Sequence, residues 1–569
     1  MVAGGFNLRF RHIYCGMFVS SVGRLRGLQF LPRRIPERLI LEGIFTTGRL
    51  GVERRSRRGK MSPRLSRSGR SPTVSDRKTE AGQECSAARV EAKTFGELHF
   101  GDADLGDVRR TKRLIRIADA IMRHPGGSLP EKMGSPGELE AMYHLMKCRE
   151  VTHARMLAPH LALTRKKIAE HDGFVLAIHD TTELDFTTRE SLADRGQIGN
   201  GSHQGWLCHN TLIVDPVQRE VIGLGNQILH CRPITQKKET VAEKRNREDR
   251  ESLLWIQGVQ SLPADEEIVD VCDRAADTFE FLEHEVASGR TFVVRSSHDR
   301  SATLGDEMRD RKSMLHDLAR SLPSLGQWTM KVAALKQKKT VRKTVDGKRK
   351  SQTVSVNRKS REAVVHVSAS RVTLLAPRRR RGHHGQSPLP MWVVRVWEPH
   401  PPEGAEPLEW ILLTNHPCLD FESAHRVKSW YECRWIIEEY HKGQKTGCGI
   451  EKPQFTSSDR LHPMIAILSV VALSLLNLRE LSRRDDAKSR IAARLFCVEY
   501  IQVLSIWRHG TAKPNWTLYD FCLALARLGG HMNRKHDSHP GWLVLWKGWT
   551  KLQAMIDGAR TQEATRKCA

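Results

Sequence analysis

The sequence predicts an α/β fold: a mixed-sheet domain, interrupted by an antiparallel β region and flanked by helical domains at both ends. Three observations point there. Short apolar runs such as Phe174–His179 (FVLAIH) and Ile268–Cys272 (IVDVC) alternate with helix-periodic stretches between residues 166 and 298. Between 299 and 408 polar and apolar residues alternate, as in VRKTVDGKRKSQTVSVNRKSREAVVHVSASRVTLLAP and MWVVRVWE, the pattern of half-buried strands. At 93–165 and 458–569 apolar residues recur at helical spacing instead.

In chain order, residues 1–92 come first, rich in Arg and Gly and then in Ser, Pro and Arg. Residues 1–60 show only weak periodicity and 61–92 are polar, so the stretch reads as a basic disordered extension, with Met61 an alternative start. The 93–165 region opens with DLGDVRRTKRLIRIADAIMRH (104–124), where Leu114, Ile117, Ala118 and Ile121 form an apolar stripe. Arg109, Arg110, Lys112 and Arg113 fill its opening turns. A second helix spans Glu138–Lys147, and Ser135 and Glu138 have capping-box spacing. Cations near one helix end suit a DNA-contacting module and equally a solvated face.

From 166 to 298 the reading is FVLAIH ending at Asp180, then strands over Trp206–Val214 and Glu220–Leu224 with an Asp215-Pro216 turn between them. A helix around Ala242–Gln260 follows, then IVDVC ending at Asp273, a helix over Thr278–Val286 and a strand over Phe292–Arg295. The antiparallel insertion (299–408) has basic loops, Arg378–Arg381 among them. The 409–457 region supplies strand Trp410–Thr414 and one long helix, Asp420–Lys445. Amphipathic helices over Met464–Glu480, Tyr519–Leu528 and Trp542–Ile556 complete 458–569.

Composition narrows the partners. The 569 residues include 92 Lys and Arg against 65 Asp and Glu, a formal +27 with a pI near 9.9. Such an excess favours a polyanion, nucleic acid before membrane, because no long basic amphipathic helix is evident. Residues 1–95 hold 20 Lys and Arg against 7 Asp and Glu, so the rest of the chain is basic in its own right. The 12 cysteines form no CxxC pair and no Cys/His cluster at zinc spacing, which reads as free thiols in a reducing cytoplasm. No apolar run reaches bilayer length, Met464–Leu476 being short and interrupted by serines, and no secretory pattern opens the chain.

Asp180 and Asp273 are each the first acidic residue after a short apolar strand. Strands of one sheet deliver such residues to a common edge, where a helix packed on the sheet can add Glu438. In YECRWIIEEYHKGQK, helical spacing puts Tyr431, Arg434, Glu438, Lys442 and Lys445 on one outward stripe, with Cys433, Ile436, Ile437 and Tyr440 on the inner side. Three converging carboxylates repel unless a divalent cation neutralises them, and Mg²⁺ or Mn²⁺ prefers such oxygen ligands. Singly, each residue has a plainer reading: Asp180 and Asp273 as turn or helix caps, Glu438 as part of a solvated ion-pair face.

The spacing of Tyr431, Arg434, Glu438 and Lys445, with AIHDTT around Asp180 and VCDRAAD around Asp273, resembles bacterial cut-and-paste DDE transposases of the insertion-sequence-four family. LGDVRRTKRL, FVVRS with Arg295, EPLEWILLT with Trp410, ALARLGG and GWLVLWKGW extend the likeness over about 95–558. The resemblance implies a ribonuclease-H-like core, an amino-terminal DNA-binding domain and a carboxyl-terminal dimerisation domain. It implies Mg²⁺ held by Asp180, Asp273 and Glu438, and Tyr431, Arg434 and Lys445 on DNA phosphates; Lys442 joins these DNA contacts only by its place on the same stripe. Arg295 is expected near those phosphates and Trp410 under an unstacked base, each with a structural reading beside it; Trp542, Trp546 and Trp549 are expected in core or interface. The partners implied are the terminal inverted repeats, target DNA and a second copy of the chain. The chemistry implied is nicking, hairpin formation and opening, and strand transfer. The alternatives are a non-catalytic DNA-binding or inhibitory relative and a plain metal-dependent nuclease.

Overall fold

The computed structural model describes residues 93–568 apart from 200, 233–238, 265–266, 306–312, 333–334, 346–347, 378–383, 404, 406, 514, 535–536 and 538. The expected extension over 1–92 and the basic run Arg378–Arg381 lie outside the described residues. Five helices come first: α1 (Phe95–Phe100), α2 (Val108–Arg123), α3 (Leu129–Met133), α4 (Pro136–Met146) and α5 (His153–Ala169). α2 starts later than residue 104 because Asp107 caps it, accepting the Arg109 N–H at 2.8 Å. At α4 only half the expected capping box forms. Ser135 accepts the Glu138 N–H at 3.3 Å, but the Glu138 carboxylate reaches across to Arg113 at 2.7 Å.

The strands are β1 (Val175–Asp185), β2 (Gly196–Gln197), β3 (Gln204–Val214), β4 (Val221–His230), β5 (Ile268–Cys272), β6 (Thr291–Arg295), β7 (Ser301–Leu304), β8 (Ser313–Met314), β9 (Gly326–Val332), β10 (Leu335–Val345), β11 (Lys348–Arg358), β12 (Arg361–Leu374), β13 (Leu389–Trp397) and β14 (Glu409–Thr414). One mixed sheet runs in the order β2-β3-β1-β5-β6-β14-β13-β12-β7-β8, with β4 on β3 and β9 on β12, while β10 and β11 pair apart. β1, β5 and β6 are parallel. The 299–408 stretch is antiparallel as expected, but β13 pairs with β14, and β14 with β6, so it continues the central sheet. It also contains an unforeseen helix, Leu315–Ser321.

The single helix expected around Ala242–Gln260 is broken into α6 (Val241–Asn246), a 3-10 turn and α7 (Leu254–Gln260). Arg247 leaves the helical region with ψ 135° and pairs with Asp249 at 2.9 Å. After α8 (Phe279–Ser288) and α9, the Leu315–Ser321 helix, the expected long helix is also two pieces, α10 (Phe421–Glu432) and α11 (Trp435–Lys442), followed by a π turn over Gly443–Gly447. The N–H groups of Cys433 and Arg434 bond three residues back, to Trp430 and Tyr431, and this tightening turns the chain between the pieces.

Helix α12 (Ser458–Leu481) is buried nearly all round, so it is a core helix and not the amphipathic one expected. At 24 residues it is long and apolar enough to cross a membrane, against the expectation from its serines, but 94% of its apolar window is buried in protein. The last helices are α13 (Val498–His509), α14 (Leu518–Leu528) and α15 (Trp542–Cys568). The last two cross in backbone contact: a Cβ on Gly529 would lie 1.8 Å from the Val544 carbonyl oxygen. Trp549 stacks on Tyr500, and its indole N–H reaches the Met122 carbonyl at 3.4 Å, so the two helical ends of the chain meet.

Candidate active site

β1 pairs with β5 only as far as His179, opposite Cys272. There β5 stops, while β1 continues beside β3 with Asp180 opposite Asn210. Asp180 is therefore not the end of its strand, as the sequence suggested; it is the first residue past the end of its neighbour. One flank of Asp180 opens on the turn after β5, where Asp273 stands. Asp273 accepts the Ala275 N–H at 2.8 Å, so its plainer reading as a turn cap also holds. Asp180 accepts the N–H of Thr181 at 2.8 Å.

Helix α11 supplies the third carboxylate. The Arg434 guanidinium, at the break before that helix, lies 3.5 Å from Asp180 and 3.3 Å from Glu438. Burial pushes the Asp180 pKa well above the ordinary carboxylate value, and the neighbouring charge of Asp273 adds to this. Arg434 opposes the shift, and Glu438 reinforces it. Burial works to discharge Arg434, but Tyr431, Asp180, Asp273 and Glu438 outweigh it and hold its pKa above the usual value. The three acids expected from the sequence are thus within electrostatic reach of one another.

Among the described residues, no group of three or more His, Cys, Asp or Glu is arranged as a ready metal site. The Arg434 guanidinium lies against two of the acids. The donor set still fits a hard divalent cation: three carboxylates, one of them desolvated and resisting its own charge.

The expected DNA contacts divide. The stripe from Tyr431 to Lys445 splits where the helix breaks: Tyr431 and Arg434 are buried, while Glu438, Lys442 and Lys445 remain partly exposed. Tyr431 is buried and its ring meets Trp410 edge-on at 5.4 Å. Arg434 is buried between acids. Lys442 pairs with Glu439 at 3.0 Å, and Lys445, on the π turn, is 3.9 Å from Glu451. Arg295 ends β6, with its guanidinium 3.4 Å from the Glu409 carbonyl. Arg110 is tied to Glu150 at 2.8 Å and Arg113 to Glu138 at 2.7 Å, while Arg109 is exposed and pairs with Asp107 at 3.3 Å.

Sequence reasoning missed Arg274. Its pKa is lowered by partial burial and then by Arg295, while Tyr431 and Asp273 raise it. Arg274 and Arg295 thus stand close enough to repel on the side of Asp273, and an anion between them would relieve that. Its place directly after Asp273 was the available signal.

The comparison with known families reaches the front of the described chain. Residues 92–151 match the family model for transposase DNA-binding, a stretch that spans α1 to α4. The match supports DNA as a partner and a transposase role for the protein.

Proposed function

We propose that this chain is a DDE transposase of the insertion-sequence-four kind, which cuts an element from DNA and joins it elsewhere by phosphoryl transfer. The observation that carries the reading is the gathering of Asp180 within β1, Asp273 in the turn after β5 and Glu438 on α11. Arg434 lies 3.5 Å from Asp180 and 3.3 Å from Glu438, and the charge of Asp180 is suppressed by burial and by Asp273. The parallel strands β1, β5 and β6, with β3 and β4 antiparallel beside them, support a ribonuclease-H-like core.

Mg²⁺ or Mn²⁺ would be held by Asp180, Asp273 and Glu438 and would supply charge neutralisation and a more acidic attacking hydroxyl. The protein's own cations do the positioning. Arg274 and Arg295 grip phosphate oxygens beside the scissile bond, and Lys445 adds a point charge from the π turn. Tyr431 does not reach solvent; it backs the Trp410 ring, which takes an unstacked base when the strand bends toward a hairpin. Water is the nucleophile in nicking and a 3′ hydroxyl in hairpin formation and strand transfer. Pairing of two copies through the carboxyl-terminal helices belongs to the same reading, and the adjacent exposed Ile506 and Trp507 near the end of α13 support it.

A second reading has one observation in its favour. Arg434 already balances Asp180 and Glu438, as a DNA-binding relative without cleavage would require. Incubation of the full chain with Mg²⁺ and a duplex carrying the inverted repeat that flanks its gene separates the two. Nicking at the repeat, lost in Glu438→Ala with binding retained, is the expected result. Binding without any cleavage by the unaltered protein selects the second reading, and full cleavage by Glu438→Ala removes the assigned acids.

A further inference from the structure

A chain of buried polar side chains lies beneath α11. The Asn210 amide donates to His441 Nε2 at 3.1 Å. The Gln227 amide donates to the Asn210 side-chain oxygen at 2.7 Å and to the Ser469 hydroxyl at 2.9 Å. Gln444, on the π turn, also donates to Ser469, at 3.0 Å. His153 of α5 meets the Gln227 oxygen at 3.0 Å. Asn210 and Ser469 are fully buried, Gln227 and His441 nearly so. Four elements, α5, the β3–β4 pair, α11 and α12, are thus joined through one set of hydrogen bonds in a low-dielectric interior. There, leaving any member without its partner is costly.

Its location gives the set a role. Asn210 is the register partner of Asp180 across β3 and β1. His441 is three residues beyond Glu438, one turn along the same helix. α11 has eight residues and no side-chain cap, follows a break and runs into a π turn, so its rotation is set by side-chain contacts. These are His441 to Asn210, the Tyr440 hydroxyl donating to the Ser469 carbonyl at 3.2 Å, and Glu439 paired with Arg479 at 3.2 Å. Turning it about its axis would swing Glu438 away from Asp180 and would also pull His441 off Asn210.

We propose that Asn210, held by Gln227 and bonded to His441, is a positioning residue that sets where α11 carries Glu438 relative to Asp180. The inference rests on the transposase reading above, because it assigns these groups a purpose in holding the acids together for a divalent cation. Residues that support ligands in this way cost about 10-fold to 100-fold in metal affinity or activity when replaced.

The test compares two substitutions at one position. In His441→Gln the side-chain oxygen falls where ring Nε2 was and still accepts from Asn210; in His441→Asn it falls near Nδ1 and does not. Three quantities are measured on the full chain: binding of the flanking inverted-repeat duplex without metal, Mn²⁺ affinity of that complex from the free-ion EPR signal, and single-turnover nicking. The expected result is unchanged duplex binding in both, with Mn²⁺ affinity and nicking each down about tenfold in His441→Asn and near the unaltered values in His441→Gln. Asn210→Leu should match His441→Asn; if it fails to fold, the His441 pair decides alone. Equal losses in both His441 variants, or unchanged Mn²⁺ affinity in both, overturn the proposal. Glu438→Gln is run alongside. If it nicks at full rate, the transposase reading of the acids has failed; if it is inert while both His441 variants are normal, only the positioning role has.

Discussion

The Arg434 guanidinium lies 3.5 Å from a carboxylate oxygen of Asp180, with 8% and 14% of the two side chains exposed. Arg434 is the cation that opposes the rise in the Asp180 pKa, so without it Asp180, Asp273 and Glu438 must repel one another or take up a proton, and either costs stability at neutral pH. Arg434→Met should therefore unfold well below the unaltered protein in metal-free buffer. Because the acids then face one another without a cation, Mn²⁺ should raise the unfolding temperature of the variant more than that of the parent. Thermal scans with and without Mn²⁺ check both parts, and equal midpoints in metal-free buffer would remove the argument.

Asp119 gives a pH signature away from the acids of the site. It accepts the Gly96 N–H at 2.7 Å, yet burial raises its pKa from 3.8 to about 6. Between those values the folded state keeps a proton that the unfolded chain has released. The associated stability is present below the unfolded value and disappears as pH rises through the folded one. Asp119→Asn keeps an oxygen for Gly96 without the charge. It should match the parent near pH ~4 and exceed it above pH ~6 by something on the order of 2 kcal/mol. Urea unfolding at both pH values measures the difference, and a variant less stable than the parent above that window would refute the account.

The nearness of Asp180 to Asp273 was legible because each follows a short apolar run, and such runs mark neighbouring strands of one sheet. What was not legible depended on lengths set elsewhere. β1 continues to Asp185 because β3 is long enough to pair with it, a property of WLCHNTLIV and not of FVLAIH. The break at Cys433 and Arg434 involves neither Gly nor Pro. It arises where packing turns the chain, so helical spacing projected one outward stripe whose first two members, Tyr431 and Arg434, the folded protein buries. Asn210, Gln227 and His441 were invisible for a related reason: a polar residue inside a strand or helix shows no partner until the elements meet.

The amino-terminal arginines separate by their partners. Arg109 is 88% exposed on its side chain, whereas Arg113 is 32% exposed and held by Glu138 at 2.7 Å. Arg109→Ala should weaken DNA binding by a similar factor for all sequences and lower the salt slope by about one ion, with little change in stability. Arg113→Ala should cost about 0.5 kcal/mol of stability and move the slope less. Fluorescence anisotropy of a labelled duplex over a salt series distinguishes them, and equal slope changes would contradict the assignment.

Lys132 joins the DNA-binding stretch to the segment beside the site. Its ammonium is buried, donates to the carbonyls of Pro125 and Gly127, and lies 3.4 Å from the Cys448 carbonyl just beyond the π turn. Burial lowers its pKa from 10.5 to about 8, so between those values the unfolded chain binds the proton that the folded one has lost. The parent should consequently gain stability as pH rises through that window. Lys132→Met keeps the apolar stem but leaves the carbonyls without their donor, a loss of about 1 to 3 kcal/mol at neutral pH. The pH-dependent gain should vanish with the ammonium, and amide exchange at Gly127 and Cys448 should quicken as the joint loosens. Unfolding curves from pH ~7 to ~10 with exchange mass spectrometry test this together. If the variant matched the parent in both, Lys132 would be a passive resident of that interface and not the staple across it.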